Sequence, residues 1–125
     1  MRKLYLFVAL ISVVSINAQS ITSPSKNISL DFKLSNDGKP TYSVNYKTKS
    51  IVKESALGIE LKGTEPLKSG FSILNQETQS VNSPWNPVLG EKTTYQNKYN
   101  EIKFYLIQKA TNRKLNIIFK SNCLT

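Results

Sequence analysis

Residues 28–46 read ISLDFKLSNDGKPTYSVNY, and this stretch decides the fold. Apolar side chains alternate with polar ones on both sides of a central turn cluster, which is the period of a strand with one buried face. The Asp37-Gly38 step supplies the positive backbone dihedrals that a tight hairpin turn needs. The stretch therefore predicts two antiparallel strands joined as a β-hairpin.

The rest of the chain repeats this pattern in short segments. Alternating apolar residues predict further strands at 57–61, 71–74, 102–107 and 115–119. No window has helical periodicity, and the Ser-, Thr- and Pro-rich residues 19–26 predict a flexible leader. The sequence thus predicts an all-β protein of seven or eight short strands, folded as an antiparallel β-sandwich. Six aromatic residues at alternating positions are expected in its core: Phe32, Tyr42, Tyr46, Phe71, Phe104 and Phe119.

The first 18 residues have the pattern of a secretory signal peptide. Arg2 and Lys3 form a positive segment, and the apolar run from Leu4 to Val14 leads through a polar step to Ala18. The run is shorter than the roughly 20 apolar residues that span a bilayer. We therefore expect cleavage after Ala18 and an exported, periplasmic or extracellular protein with no membrane anchor. Cleavage would leave 107 of the 125 residues, enough for one small domain.

Charge and composition argue against several classes of function. The formal charge of +9 falls to +7 without Arg2 and Lys3, but the lysines are scattered and only Arg113 remains of the arginines. Nucleic-acid grooves cluster their cations, so no nucleic-acid partner is expected. The chain has no His and one Cys, Cys123, so it lacks the commonest general base and has no disulfide partner within the chain. Its acidic residues form no calcium loop or other metal cluster. We expect neither catalysis nor a bound metal from this chain.

The most unusual segment, residues 83–101, reads SPWNPVLGEKTTYQNKYNE. It holds the only Trp of the chain, Trp85, between two prolines that restrict the backbone. Two interpretations stand. In the first, which we favour, Trp85 packs at one end of the sandwich; in the second, exposed aromatic faces stack on sugar rings. The candidate carbohydrate contacts are Trp85, Glu91, Tyr95 and Tyr99.

A series of linked motifs occurs in a fixed order along the chain. They are DGKPTYSV at 37–44, SALGIEL at 55–61, GF at 70–71, WNPVLGEK at 85–92, YNE at 99–101 and RKLNIIF at 113–119. Together they resemble the N-terminal domain of glycoside hydrolase family 97. The residues that carry this fingerprint in the unusual segment are Trp85, Pro87, Gly90, Glu91, Tyr99, Asn100 and Glu101.

The resemblance implies a fold, a ligand class and a setting. Members of the family are exported α-glucosidases and α-galactosidases typical of the Bacteroidetes. Their N-terminal domain is a galactose-mutarotase-like β-sandwich. Because the enzymes act on α-glucosides and α-galactosides, the resemblance implies an α-glucan or an α-galactoside as the partner. The sandwich packs against a (β/α)₈ barrel, which carries the catalytic glutamates and most ligands of a calcium ion. The resemblance therefore implies a non-catalytic domain here, without a cofactor of its own.

The resemblance also divides the chain. After the signal peptide at 1–18 and the leader at 19–26, which residue patterns predict, it implies a partial domain at 27–120 and a non-family tail at 121–125. The sandwich is expected to be a truncated fragment, incomplete at its C-terminal end, with an unpaired sheet edge there. The alternative interpretation is a free-standing secreted carbohydrate-binding or adhesion module.

Overall fold

Seven β-strands make up the regular structure of the residues that the computed structural model describes, 18–90 and 94–123. The signal-peptide prediction lies outside these residues except for Ala18. The strands are β1 Gln19–Thr22, β2 Ile28–Leu34, β3 Pro40–Tyr46, β4 Lys49–Ala56, β5 Phe71–Trp85, β6 Tyr95–Gln108 and β7 Arg113–Asn122.

The strands form two antiparallel sheets. The first has the order β1-β2-β3-β4 and the second the order β5-β6-β7, so every hydrogen-bonded neighbour is also a neighbour in sequence. Short turns between consecutive strands are enough to build both sheets, because antiparallel pairs need no long crossover. The predicted all-β fold with two antiparallel sheets is confirmed.

The opening hairpin forms as its sequence predicts. Phe32 of β2 pairs with Tyr42 of β3, and Ile28 pairs with Tyr46 at the far end. The turn contains Gly38 with a φ of 73°, and the N–H of Gly38 donates to the carbonyl of Ser35 at 2.9 Å. The local chemistry of the turn therefore sets the register of the first sheet.

Two segments differ from the expectation. Residues 19–26 were expected to be a flexible leader, but Gln19–Thr22 forms β1 and pairs with β2, with Ile21 buried in the core. The alternating residues 57–61 were expected to be a strand, but β4 covers Lys49–Ala56 instead. Beyond β4, Ile59 forms only an isolated bridge to Leu67. Alternation shows that a segment has one apolar face, and a strand also needs a neighbour to pair with.

A buried glutamine accounts for the irregular course of the loop after β4. The side-chain amide of Gln108 donates to the carbonyls of Pro66 at 3.0 Å and Ser69 at 3.2 Å. Its oxygen accepts from Thr111 and Arg113 at 2.6 and 3.1 Å. These bonds hold the end of the loop, at Pro66 and Ser69, over the end of β6, with the buried polar group fully paired.

The tail assigned to 121–125 also begins as regular structure. Ser121 and Asn122 continue β7 and pair with Asn100 and Tyr99 of β6. The N–H of Cys123 donates to the carbonyl of Lys98 at 3.0 Å, which extends the ladder by one more bond. Residues 124–125 lie outside the described part of the chain.

The core lies between the sheets and is built on aromatic rings. Phe32 and Phe104 are fully buried and stack with their centroids 4.2 Å apart. Phe119 packs against both, at 5.7 and 6.2 Å. Phe71 is also buried, as predicted, whereas Tyr46 is 40% exposed at the end of its strand and does not belong to the core. A stacked pair contributed by facing sheets fixes how the sheets pack.

Candidate functional site

The candidate site lies at the tip of the long β5–β6 hairpin. Trp85 closes β5 and pairs directly with Tyr95 at the start of β6, so it belongs to a strand rather than to the loop that the sequence suggested. Pro84 pairs with Gln96 within the same ladder. A proline is tolerated at this position because β5 is an edge strand of its sheet.

Trp85 is exposed. The side chain keeps 59% of its surface accessible, so the favoured interpretation, a Trp that packs at the end of the sandwich, is wrong. An open cleft of about 530 Å³ lies beside it, lined by Ser83, Pro84, Trp85, Gln96 and Asn97. A large aromatic surface next to two side-chain amides offers both an apolar face and hydrogen-bonding groups to a ligand.

The turn beyond Trp85 presents further apolar surface. Val88 and Leu89 are almost completely exposed, and Pro87 is half-buried between them and the strand. Gly90 is exposed and ends the first described range. Glu91, a predicted sugar contact, lies outside the described residues, as does the side chain of Tyr95. The exposed tip is therefore aromatic and aliphatic rather than charged in the part that the structure describes.

Tyr99 does not join Trp85 in one cleft. It lies four residues along β6 from the partner of Trp85, which is about 14 Å at the usual rise of a strand. Its ring is half-buried, and the Lys120 ammonium lies 5.0 Å from the ring centroid. Lys120 is also 3.3 Å from the carboxylate of Glu101. Because the lysine covers the ring, Tyr99 offers less aromatic surface to a sugar than Trp85 does.

The fingerprint residue Asn100 has a structural role. Its side-chain nitrogen donates to the carbonyl of Thr22 at 2.6 Å, and its oxygen accepts from Ser80 at 2.8 Å. One amide thus connects β1 of the first sheet to β5 and β6 of the second. Part of the family motif therefore holds the sheets together instead of contacting a ligand.

Sequence reasoning missed two polar side chains in the cleft. Gln96 and Asn97 lie beside Trp85 only because the ladder pairs Pro84 with Gln96 and Ser83 with Asn97. The signal in the sequence was weak, since both residues belong to a polar run with no distinguishing feature. The register of the hairpin was needed to bring them to the Trp.

A second polar aromatic group lies further along β6. The Tyr105 hydroxyl donates to the Glu77 carboxylate at 2.9 Å, and this bond raises the pKa of the phenol. Lys103 lies 5.9 Å from the Tyr105 ring centroid. Tyr105 therefore lies on a solvent-facing surface between a carboxylate and an ammonium group. This surface is separate from the Trp85 cleft.

Metal and membrane features can be stated for the described residues. Within 18–90 and 94–123, no three His, Cys, Asp or Glu side chains come together as a metal site. The same ranges contain no helix of the length and apolarity needed to cross a membrane.

Comparisons with known proteins agree on one family. The family model described as Glycosyl-hydrolase 97 N-terminal matches residues 21–121, a range that includes the second half of β1, all of β2 to β6 and all but the last residue of β7. A family 97 enzyme from Pseudoalteromonas sp. strain K8, solved with panose and with acarbose, is similar in structure. It is 28% identical with a TM-score of 0.75, and the match covers 83% of this chain and 16% of the enzyme. A β-arabinopyranosidase of 19% identity and a TM-score of 0.70 shares the fold over the same fractions.

Proposed function

The chain belongs to the N-terminal domains of glycoside hydrolase family 97, and on that premise we propose that it is a sugar-contacting domain of an exported α-glycosidase. The match spans 16% of the length of the solved enzymes. The matched family model is that of the N-terminal domain, and the role proposed for it is non-catalytic. Its part in the function is to contact carbohydrate, and Trp85 is the residue that carries the proposal.

The exposed indole is the observation that supports sugar contact. Burial of an aromatic side chain is among the largest gains available to a folding domain, yet Trp85 is 59% exposed. The C–H groups of a pyranose ring stack on such a surface, while its hydroxyls pair with amide groups. Gln96 and Asn97 provide donors and acceptors at the edge of the same cleft. Apolar surface with a few convergent polar groups is typical of a ligand site.

An α-glucan is the ligand class that the comparisons favour. The Pseudoalteromonas enzyme was solved with panose and acarbose, which are glucan-type ligands of that whole enzyme. We propose that the same class of oligosaccharide reaches the cleft beside Trp85 in this chain. An α-galactoside, the other substrate class that the resemblance implies, is the natural competitor in a test.

Titration calorimetry with panose and with an α-galactoside tests the sugar contact. We expect the chain to bind panose and Trp85→Ala to weaken binding about tenfold or more, equivalent to about 1.4 kcal/mol. Tyr46→Ala is the matched control, because Tyr46 is another exposed aromatic residue but lies in the first sheet. Equal affinities for the wild type and Trp85→Ala, or no binding by the wild type, would remove the proposal. Sugar release from an aryl α-glucoside by the chain is expected to be absent.

Export is a separate part of the proposal and has its own test. It rests on the order of residue types in 1–18, where a positively charged segment is followed by an apolar run and then by the small residue Ala18. Mass spectrometry of the protein recovered from the periplasm and from the medium should show a chain that begins at Gln19. A protein that stays in the cytoplasm with Met1 or Arg2 as its first residue would contradict this part alone.

A further inference from the structure

Strand β7 has one free edge among the described residues. It pairs with β6 along its whole length, and no strand within 18–90 or 94–123 pairs with its other side. The Cys123 N–H donates to Lys98, so residues with odd numbers in β7 direct their backbone groups towards β6. The alternate residues therefore direct their N–H and C=O groups away from the sheet: Lys114, Asn116, Ile118, Lys120 and Asn122.

The free edge is also the apolar side of the sandwich. Leu115, Ile117 and Phe119 face the core but remain only half-buried. Two open apolar clefts flank the strand. One of about 320 Å³ lies at Leu115, Ile117 and Ile118, and one of about 310 Å³ lies at Phe119 and Ser121. Unpaired backbone groups beside unfilled apolar clefts are the features of an edge that accepts another strand.

We propose that the free edge of β7 pairs with the same edge of a second copy of the chain. The two copies of β7 run antiparallel about a two-fold axis at Ile118, and the second sheets join into one sheet of six strands. Side chains of paired residues must lie on the same side of the joined sheet, so odd-numbered residues pair with odd-numbered ones and even with even. For an overlap along most of β7, the two-fold axis must therefore pass through Ile117 or Ile118. The charges of the strand decide between these two registers.

A centre at Ile117 would place Lys114 opposite the second copy's Lys120, and like charges that face each other are destabilising. A centre at Ile118 places each lysine opposite an asparagine, Lys114 with Asn122 and Lys120 with Asn116. The amide oxygen of an asparagine accepts a hydrogen bond from an ammonium group. The strand is thus self-complementary in one register, and this property favours a second copy as the occupant.

The same register satisfies the backbone and covers apolar surface. The outward groups of the five alternate residues form about ten hydrogen bonds across the axis. Ile118, which is 50% exposed, meets its own copy on the outer face. On the inner face Ile117 lies opposite the second copy's Phe119, beside both clefts. The Lys120 charge is already compensated by Glu101 at 3.3 Å, which lowers the repulsion between two basic chains.

Sedimentation velocity of the protein purified from cells that express residues 1–125 tests the assembly. We expect a concentration-dependent dimer, and Ile118→Lys should raise its dissociation constant about tenfold or more by placing two lysines on the axis. Ile51→Lys is the matched control, because Ile51 is 59% exposed on β4, the edge strand of the other sheet. A monomer at all concentrations, or equal disruption by both variants, would overturn the proposal.

Salt and cross-linking separate this dimer from other pairings. Salt should strengthen it, since two basic chains repel each other at long range, whereas binding of an acidic strand would weaken. In a Cys123→Ser background, Ile118→Cys should oxidise to a disulfide-linked dimer, because residues facing across a hydrogen-bonded pair have Cα atoms about 5.5 Å apart. Asn116→Cys should not cross-link, since it faces position 120. Cross-linking by Asn116→Cys alone, or by neither variant, would contradict the register.

Discussion

The contact between the first hairpin turn and the start of β5 gives the sharpest test of how the two sheets are held together. Gly38 has a φ of 73°, and a Cβ added there would lie 2.5 Å from the backbone nitrogen of Phe71 and 2.6 Å from its oxygen. The carbonyls of Asp37 and Gly38 accept from the N–H groups of Gly70 and Phe71 at 2.9 and 3.0 Å. Gly38→Ala should therefore separate this turn from β5.

The expected loss follows from three contributions. An alanine at positive φ costs about 1–2 kcal/mol. Opening the contact removes two backbone hydrogen bonds, at about 1 kcal/mol each. A shift of the buried Phe71 adds about 1 kcal/mol of lost packing. We expect Gly38→Ala to lower the free energy of unfolding by about 4–5 kcal/mol, which is much of the stability of a domain of this size.

The control for this prediction is Gly63→Ala. Gly63 has nearly the same φ, 76°, but nothing lies within 4 Å of an added Cβ. This variant should lose only about 1–2 kcal/mol, the cost of the dihedral alone. Urea unfolding followed by far-UV circular dichroism measures both variants. Equal losses for the two glycines would refute the reasoning, because the close approach to Phe71 would then contribute nothing.

Three further perturbations test other contacts. Phe104→Ala should lower the free energy of unfolding in urea by about 3–5 kcal/mol, since the ring is fully buried; a loss below about 1 kcal/mol would contradict the packing. Asn100→Ala should release β1, seen as faster hydrogen exchange at Thr22 and its neighbours but not in β7, and unchanged exchange in β1 would count against the link. Glu77→Gln should lower the raised pKa of Tyr105 towards its ordinary value of 10.0, measured by phenolate absorbance. Because the folded-state pKa is raised, the stability that Tyr105 contributes is present below pH about 10 and is lost as the pH rises through the folded-state value.

The first hairpin shows what could be read directly from the sequence. Alternation in residues 28–46 and the Asp37-Gly38 turn are local features, and the structure reproduces both in β2, β3 and their register. The family motifs were equally readable, and the family model matches residues 21–121. Strand period and turn chemistry depend on residues that are close in sequence, so both can be predicted without knowledge of the rest of the molecule.

The predictions for residues 19–26 and 57–61 were wrong because contacts with residues far away in sequence determine the structure of both segments. Residues 19–22 look like a loose leader, but β2 offers them an edge and Asn100 binds Thr22. Residues 57–61 alternate like a strand, but Ile59 pairs only with Leu67, in a loop that Gln108 binds at Pro66 and Ser69. In each case a contact far away in sequence outweighs the local pattern, as it commonly does for strands.

The sequence by itself determined the fold class, the first hairpin turn and the family. Only the tertiary structure decided that Trp85 is exposed beside Gln96 and Asn97, and that no strand of the described residues pairs with the outer edge of β7. The physical reason is that periodicity and turn chemistry act over a few residues, whereas exposure depends on register and on which element packs against each face. A tryptophan between two prolines reads the same in sequence whether it is buried or presented to a ligand.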